Sequence, residues 1–209
     1  MEGTSNMKPA SLLRKERLKN IRDALLEAQD VLDRFTRNPE NIATIAETAE
    51  MIRDVFEREG RVFTCGNGGS LCDAIHFAEE CTGKFRNDRK PLPAIALGDA
   101  GHITCTANDY GFAEIFARPL LALGHSGDLL VVLSTSGNSE NVVHAAIAAK
   151  SRGMKVFGLL GRDGGSLKQH CDVYLIAPGD TADRIQEIHI KVLHILIEQV
   201  ERLMFPKNY

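Results

Sequence analysis

Four hydroxyls crowd into six residues, Ser134, Thr135, Ser136, Gly137, Asn138 and Ser139. They follow an apolar run at 129–133, bordered by Asp128, whose length predicts a buried strand. They precede an alanine-rich amphipathic segment at 140–150, which predicts a helix. A strand, a hydroxyl-rich turn and a helix start make a cradle for an anion. The hydroxyls donate hydrogen bonds, Gly137 lets the backbone come close, and the first-turn N–H groups carry positive partial charge. A plain helix cap at Ser139 or Asn138 needs only one such residue. The stretch lacks the lysine of the nucleotide motif G-x-x-x-x-G-K-[ST], so a simple phosphate ester is the expected ligand.

His76 and Glu80 form a second group. They stand four residues apart on a predicted helix over 71–85, one turn from each other on one face. That spacing can bring a ring nitrogen and a carboxylate to one metal ion, or a base to its acid partner. It also fits a solvated helix face. The helix leaves the loop Gly66-Asn67-Gly68-Gly69-Ser70, which follows a strand candidate at 61–65. Open α/β sheets bind ligands at this carboxyl end of the strands. The glycines do not have G-x-G-x-x-G spacing, and this argues against a dinucleotide and for close approach of a sugar phosphate to the backbone. A third group, Gln186, His189 and His194, interrupts the apolar surface of a long helix predicted over 182–204. A histidine on an apolar face is more often a core residue than a ligand. The segment Asn108-Asp109-Tyr110-Gly111 reads as a plain polar turn, and His125 as a surface loop residue.

The elements that must position these groups follow from apolar periodicity. Helices are expected over 12–37 and 41–58, the second stopped by Gly60. Strands are expected at 61–65, 94–97, 129–133, 154–160 and 172–177, with helices between them over 71–85, from 102, over 112–123, 140–150 and 166–170. Alternation of strand and helix implies a parallel sheet covered on both faces. The organisation read from this is a mobile N-terminus at 1–11, a helical pair at 12–60 and an α/β unit at 61–209. The helical pair can cover the sheet or build an interface with a second copy.

Composition narrows the function classes. The chain has 209 residues, 44% of them hydrophobic, with net charge −3, and so can bury one sizeable core. A slightly acidic balance with no Lys/Arg cluster argues against nucleic acid. No apolar run reaches membrane-spanning length, and the N-terminus has no apolar core of a secretory signal. Five scattered cysteines without a C-x-x-C fit reduced thiols in the cytoplasm.

Taken together, G-N-G-G-S, H-F-A-E-E, A-N-D-Y-G, S-T-S-G-N-S, G-x-D-G-G and A-D-R-I-Q-E-I-H-I-K-V-x-H resemble the phosphoheptose isomerases of the sugar-isomerase (SIS) fold. The resemblance runs over about 61–203. It departs at Leu71, where some members have His, and at Lys84, where others have Arg. It implies a three-layer α/β fold with a five-stranded parallel sheet. It implies isomerisation of sedoheptulose 7-phosphate to D-glycero-D-manno-heptose 7-phosphate, toward activated heptose. It also implies a homotetramer with active sites between subunits and one zinc ion per site. Carried over by motif, the zinc ligands are His76, Glu80, Gln186 and His194, and the catalytic pair is Glu80 and His194. The substrate contacts are Asn67, Gly68, Gly69, Ser70, Asn108, Asp109 and Gln186, with Ser134, Thr135, Ser136 and Ser139 on the phosphate. The competing reading is a non-catalytic SIS protein that binds a sugar phosphate or a partner protein; such adaptors keep the phosphate loop but lose the acidic and histidine positions.

Gln186 and His194 are eight residues apart, about 12 Å of rise on a continuous helix. Ligands of one zinc lie within about 4 Å of one another. Either the helix starts after Gln186, or the two residues serve one ion from different chains. The second option fits a shared site and is the expectation.

Overall fold

A computed structural model describes residues 10–209, so the N-terminal segment expected to be mobile lies almost wholly outside the described residues. Two helices, α1 (Ala10–Arg37) and α2 (Pro39–Glu57), come first. Asn38 separates them: its side chain accepts from the Glu40 N–H at 3.1 Å, and Pro39 occupies the first helical position. Then follow β1 (Val62–Gly66), α3 (Gly69–Thr82), β2 (Ala94–Ala96), α4 (Ala100–Tyr110), α5 (Ala117–Leu123), β3 (Leu129–Ser134), α6 (Glu140–Ser151), β4 (Lys155–Gly161), β5 (Val173–Ala177) and α7 (Ala182–Met204).

The five strands form one sheet in the order β2-β1-β3-β4-β5, and every neighbouring pair is parallel. From β1 the chain steps outward to β2, then returns across β1 to place β3 on its other side. The strand order therefore reverses between β1 and β3, where the crevice at the carboxyl ends opens. Central strand β3 is buried along its whole length, which explains why it reads as an unbroken apolar run. Its side chains still alternate. Leu129, Val131 and Leu133 join the core under α2, α3 and α7, with Ile52, Phe77 and Val192. Leu130 and Val132 join the core under α5 and α6, with Leu120 and Ala146.

Several elements differ from the sequence expectation. The predicted turn at 108–111 is instead the last turn of α4. Asp99 starts this helix by accepting from the His102 N–H at 2.7 Å, and Gly111, with φ 93°, stops it. The single helix expected over 112–123 is a 3₁₀ turn, Phe112–Glu114, followed by the short α5. Pro119 has no N–H to give to the Ile115 carbonyl; the His102 ring takes that carbonyl through Nε2 at 3.0 Å. Helix α3 starts at the glycines and ends at Thr82, short of the expected residue 85. The 166–170 helix is a 3₁₀ turn.

Only the C-terminal end of the α1 apolar stripe is covered. Val31 and Phe35 are buried, whereas Leu18, Ile21, Leu25 and Leu26 are more than half exposed. Helix α7 is the opposite case, with Ile185, Ile188, His189, Val192, Leu193, Leu196 and Ile197 all buried.

His189 ties α7 to the sheet. Its Nε2–H donates to the Leu160 carbonyl of β4 at 3.1 Å, and its Nδ1 has no partner among the described residues. Burial pushes the ring pKa down to about 4, against the opposing pull of that hydrogen bond. The unfolded chain then binds more protons than the folded one between pH 4 and about 6.5, so this contribution is whole above pH 6.5 and is lost as pH falls toward 4. The difference is on the order of 3 kcal/mol. Urea unfolding of a His189→Gln variant is expected to lose less stability between pH 7 and pH 4 than the parent. Equal pH slopes would contradict the assignment.

Candidate active site

The turn after β3 is held open as a cup. The Gly137 N–H donates to Ser134 Oγ at 3.0 Å, and the Asn138 N–H to Ser136 Oγ at 3.2 Å. Both hydroxyls act as acceptors within the turn, so their protons are free to donate outward. Ser139 occupies the N-cap of α6, yet its hydroxyl makes no capping bond. Asn138 does not cap the helix either: its Oδ1 accepts from the Ser166 N–H at 2.9 Å. Neither residue therefore serves as the plain cap, and the first turn of α6 faces the cup with its N–H dipoles. Gly137, with φ 65°, packs backbone to backbone on the Gly164-Gly165 turn after β4. A Cβ there would lie 2.1 Å from the Gly164 carbonyl oxygen.

The second wall is the glycine loop after β1. Gly68 adopts φ 55° and ψ −122°, a region open to glycine alone, and this bends the chain straight into α3. The two walls are bolted together by a reciprocal amide pair. Asn67 Nδ2 donates to Asn141 Oδ1 at 2.9 Å, and Asn141 Nδ2 donates to Asn67 Oδ1 at 2.8 Å. Gln186 closes the cup from α7. It lies over Gly69, where a Cβ would be 2.7 Å from its Oε1, and its Nε2 reaches Ser70 Oγ at 3.4 Å. Asn67, Ser70, Ser134, Thr135, Ser139 and Gln186 together line a cavity of about 50 Å³, the size of a phosphate group rather than a whole sugar.

One turn and more along α3 lies a different chemistry. His76 Nε2 and His194 Nε2 face each other at 2.9 Å, with Glu80 Oε1 3.6 Å from the first. One ligand atom from each of these three residues lies within 4.8 Å of the others. Two imidazole nitrogens and a carboxylate oxygen converging on one point suit a divalent cation of zinc's class. Glu79 Oε1 stands 3.1 Å from His76 Nδ1, and the Phe85 ring stacks on His194 with centroids 5.9 Å apart. Burial, then the neighbouring His76, lowers the His194 pKa, while Glu80 pulls it up. A ring kept neutral can ligate a metal or accept a proton.

Helix α7 is continuous through both Gln186 and His194, which removes the option of a helix starting after Gln186. Three of the four residues expected on one ion meet within the chain; Gln186 sits in the cup instead. Asn108 and Asp109 are exposed and do not line the cup. Asp109 accepts from Asn108 Nδ2 at 2.8 Å and from Cys105 Sγ at 3.5 Å. A larger depression of about 490 Å³, near Arg34, Lys168 and Tyr174, contains none of the residues singled out in the sequence. Asn141 was not among those residues. Its signal was a polar residue on the inner face of a helix that otherwise buries alanine and valine, and it is 2% exposed.

The SIS domain model matches residues 25–161. The phosphoheptose isomerase of Fusobacterium nucleatum is 51% identical over 180 residues, 86% of this chain and 93% of that protein. That of Escherichia coli is 50% identical over 185 residues, 88% of this chain and 96% of that protein. Among solved structures, a phosphoheptose isomerase from Francisella tularensis superposes with a TM-score of 0.84 at 36% identity, covering 89% of this chain and 98% of its own.

The amide pair makes a prediction about the cup alone. An Asn141→Ala variant frees Asn67 and unties the walls. The Michaelis constant for a sugar phosphate substrate is expected to rise about tenfold, with a smaller change in kcat, by steady-state kinetics. A Michaelis constant equal to the parent's would remove the bolt from the site.

Proposed function

The chain belongs to the phosphoheptose isomerases of the SIS-domain family, enzymes that interconvert sedoheptulose 7-phosphate and D-glycero-D-manno-heptose 7-phosphate; we propose that it does so with the phosphate in the Ser134–Ser139 cup and the C1–C2 end of the sugar at Glu80 and His194. The observation that carries this division is the convergence of His76, Glu80 and His194 on one point, which a protein that only binds sugar phosphates does not need.

The reaction moves a carbonyl from C2 to C1. Glu80 takes a proton from C1, leaving an enediolate, and returns it to C2. His194 carries the accompanying proton between the two oxygens. A zinc ion held by His76, Glu80 and His194 would supply Lewis-acid polarisation of those oxygens, and it would occupy the ring nitrogen of His194 that faces the cluster, so ligation and proton transfer are alternative uses of that nitrogen. Glu80 Oε1 is the oxygen turned toward the imidazoles, which supports a split of roles: Oε1 toward the cation, Oε2 toward the substrate. The cup has no part in the proton transfers. It fixes the distant phosphate so that the carbon to be deprotonated arrives in register.

The remaining ligand, Gln186, comes in this reading from a neighbouring copy, so that the cup of one chain faces the histidine–carboxylate cluster of another in a homotetramer. Two features support it. Eight residues of continuous helix separate Gln186 from His194, and the N-terminal half of α1 carries an uncovered stripe including Leu18, Ile21 and Leu25. Asn108 and Asp109, exposed at the end of α4, would then contact substrate held by another copy. Five free cysteines are in keeping with the cytoplasm.

Glu80→Gln and His194→Gln are each expected to lower kcat by about three orders of magnitude while the circular dichroism spectrum is unchanged. A chelator should abolish turnover of sedoheptulose 7-phosphate and added zinc restore it. Near-parent activity in either variant would refute the assigned roles, and no turnover in the presence of zinc would favour a binding protein.

A further inference from the structure

The last carbonyls of α3 have no partners within a helix. The Gly83 N–H takes that of Glu79 at 2.6 Å and the Leu92 N–H that of Cys81 at 2.9 Å, and one guanidinium spans this end of the helix. Arg89 Nη2 donates to the Glu80 carbonyl at 2.7 Å, and Nη1 donates to the carbonyls of Cys81 at 2.7 Å and Gly83 at 2.9 Å. Its Nε reaches across to α7 and donates to Glu201 Oε1 at 2.8 Å. The other Glu201 oxygen accepts from the Tyr209 hydroxyl at 2.7 Å. The Arg89 and Glu201 side chains are each 1% exposed.

Glu201 lies seven residues past His194, two turns along the same face of α7. One side chain therefore grips the backbone of Glu80 and is itself anchored to the helix that carries His194. The rest of its loop leans on the same helix: Phe85 stacks on the His194 ring, and Arg86 pairs with Glu198 at 2.9 Å. Stability alone is a weak reason for this arrangement, because an ion pair so deeply buried costs desolvation that apolar residues of the same volume would avoid. A planar fork that spans three carbonyls and a carboxylate instead fixes geometry.

We propose that Arg89 is a positioning residue for the reaction: by holding the end of α3 against α7 it sets the separation between the Glu80 carboxylate and the His194 ring. Arg89 touches neither substrate nor reacting atoms, and it acts through the Glu80 backbone. The inference rests on the roles given to Glu80 and His194 above.

Two variants separate positioning from stability. Arg89→Lys keeps the charge and loses the fork. The double variant Arg89→Met/Glu201→Leu removes the buried charges together, so that neither is left alone in the interior while the carbonyl grip is lost, and its kinetics are read on the folded fraction. In both, kcat for sedoheptulose 7-phosphate is expected to fall about tenfold or more with the Michaelis constant within about twofold. Zinc, measured against a chelating dye on folded protein, should bind about tenfold more weakly. A double variant with parent kcat and parent zinc affinity overturns the proposal, as does a loss of activity that only follows the fraction unfolded. Should both fail to fold, Tyr209→Phe removes one hydroxyl from Glu201 and is expected to lower kcat at constant Michaelis constant; an unchanged kcat there also overturns it. Parent kcat in the Arg89 variants beside an inactive Glu80→Gln protein would sink the positioning role alone, whereas an active Glu80→Gln protein would sink the reading of the site beneath it.

Discussion

Reversal of strand order between β1 and β3 is the constraint from which the site descends. Two parallel neighbours whose connections leave in opposite directions cannot close over their own carboxyl ends, so a crevice remains there. Each strand delivers one wall into it. β1 brings glycines that let the chain turn without a side chain in the way, and β3 brings hydroxyls and a helix start. The Asn67–Asn141 amide pair joins what the topology has only brought near. Such a pair satisfies both amides without charge, and so it can be half-buried at a modest desolvation cost.

The helices around this crevice divide the work by length. α3 and α7 meet at Ser70 with Gln186, at His76 with His194, and through Arg89 at Cys81 with Glu201, in the same order along both helices. They run parallel, so the cup and the histidine–carboxylate cluster lie at successive levels of one seam, about 12 Å apart along α7. In the shared site proposed above, a substrate whose phosphate lies in the cup of one chain meets the cluster of a neighbouring copy, so the seam fixes the two ends without having to span one substrate.

Much of this could be read from residues alone, and the limits have physical causes. The sheet was legible because central parallel strands are apolar runs, and β3 is the clearest of them. The cup was legible because hydroxyls are dense between a strand and a helix. Helix α4 was not, since it is started by Asp99 and carries an Asn-Asp pair in its last turn, residues that also favour turns. The break before α5 depends on which group takes the Ile115 carbonyl, a partner thirteen residues away. Arg89 lies in a polar loop that looks solvated in sequence, and only the three-dimensional meeting with Glu201 reveals its burial. The place of Gln186 in the cup, away from His194, follows from helix rise once the helix is known to be continuous.

The backbone contact of Gly137 with the Gly164-Gly165 turn has a consequence for how such a protein changes over generations. The cup is shaped by main-chain atoms at glycines and by small hydroxyls, whereas the proton-handling end is written in three large side chains. On the proposed division of roles, a substitution at one of those three would alter the reaction and leave the cup standing, whereas a side chain at Gly137 would meet the Gly164 carbonyl oxygen at 2.1 Å and collapse the cup whatever the reaction. Catalysis would then be the more easily exchanged property of this scaffold, by changes confined to two helices.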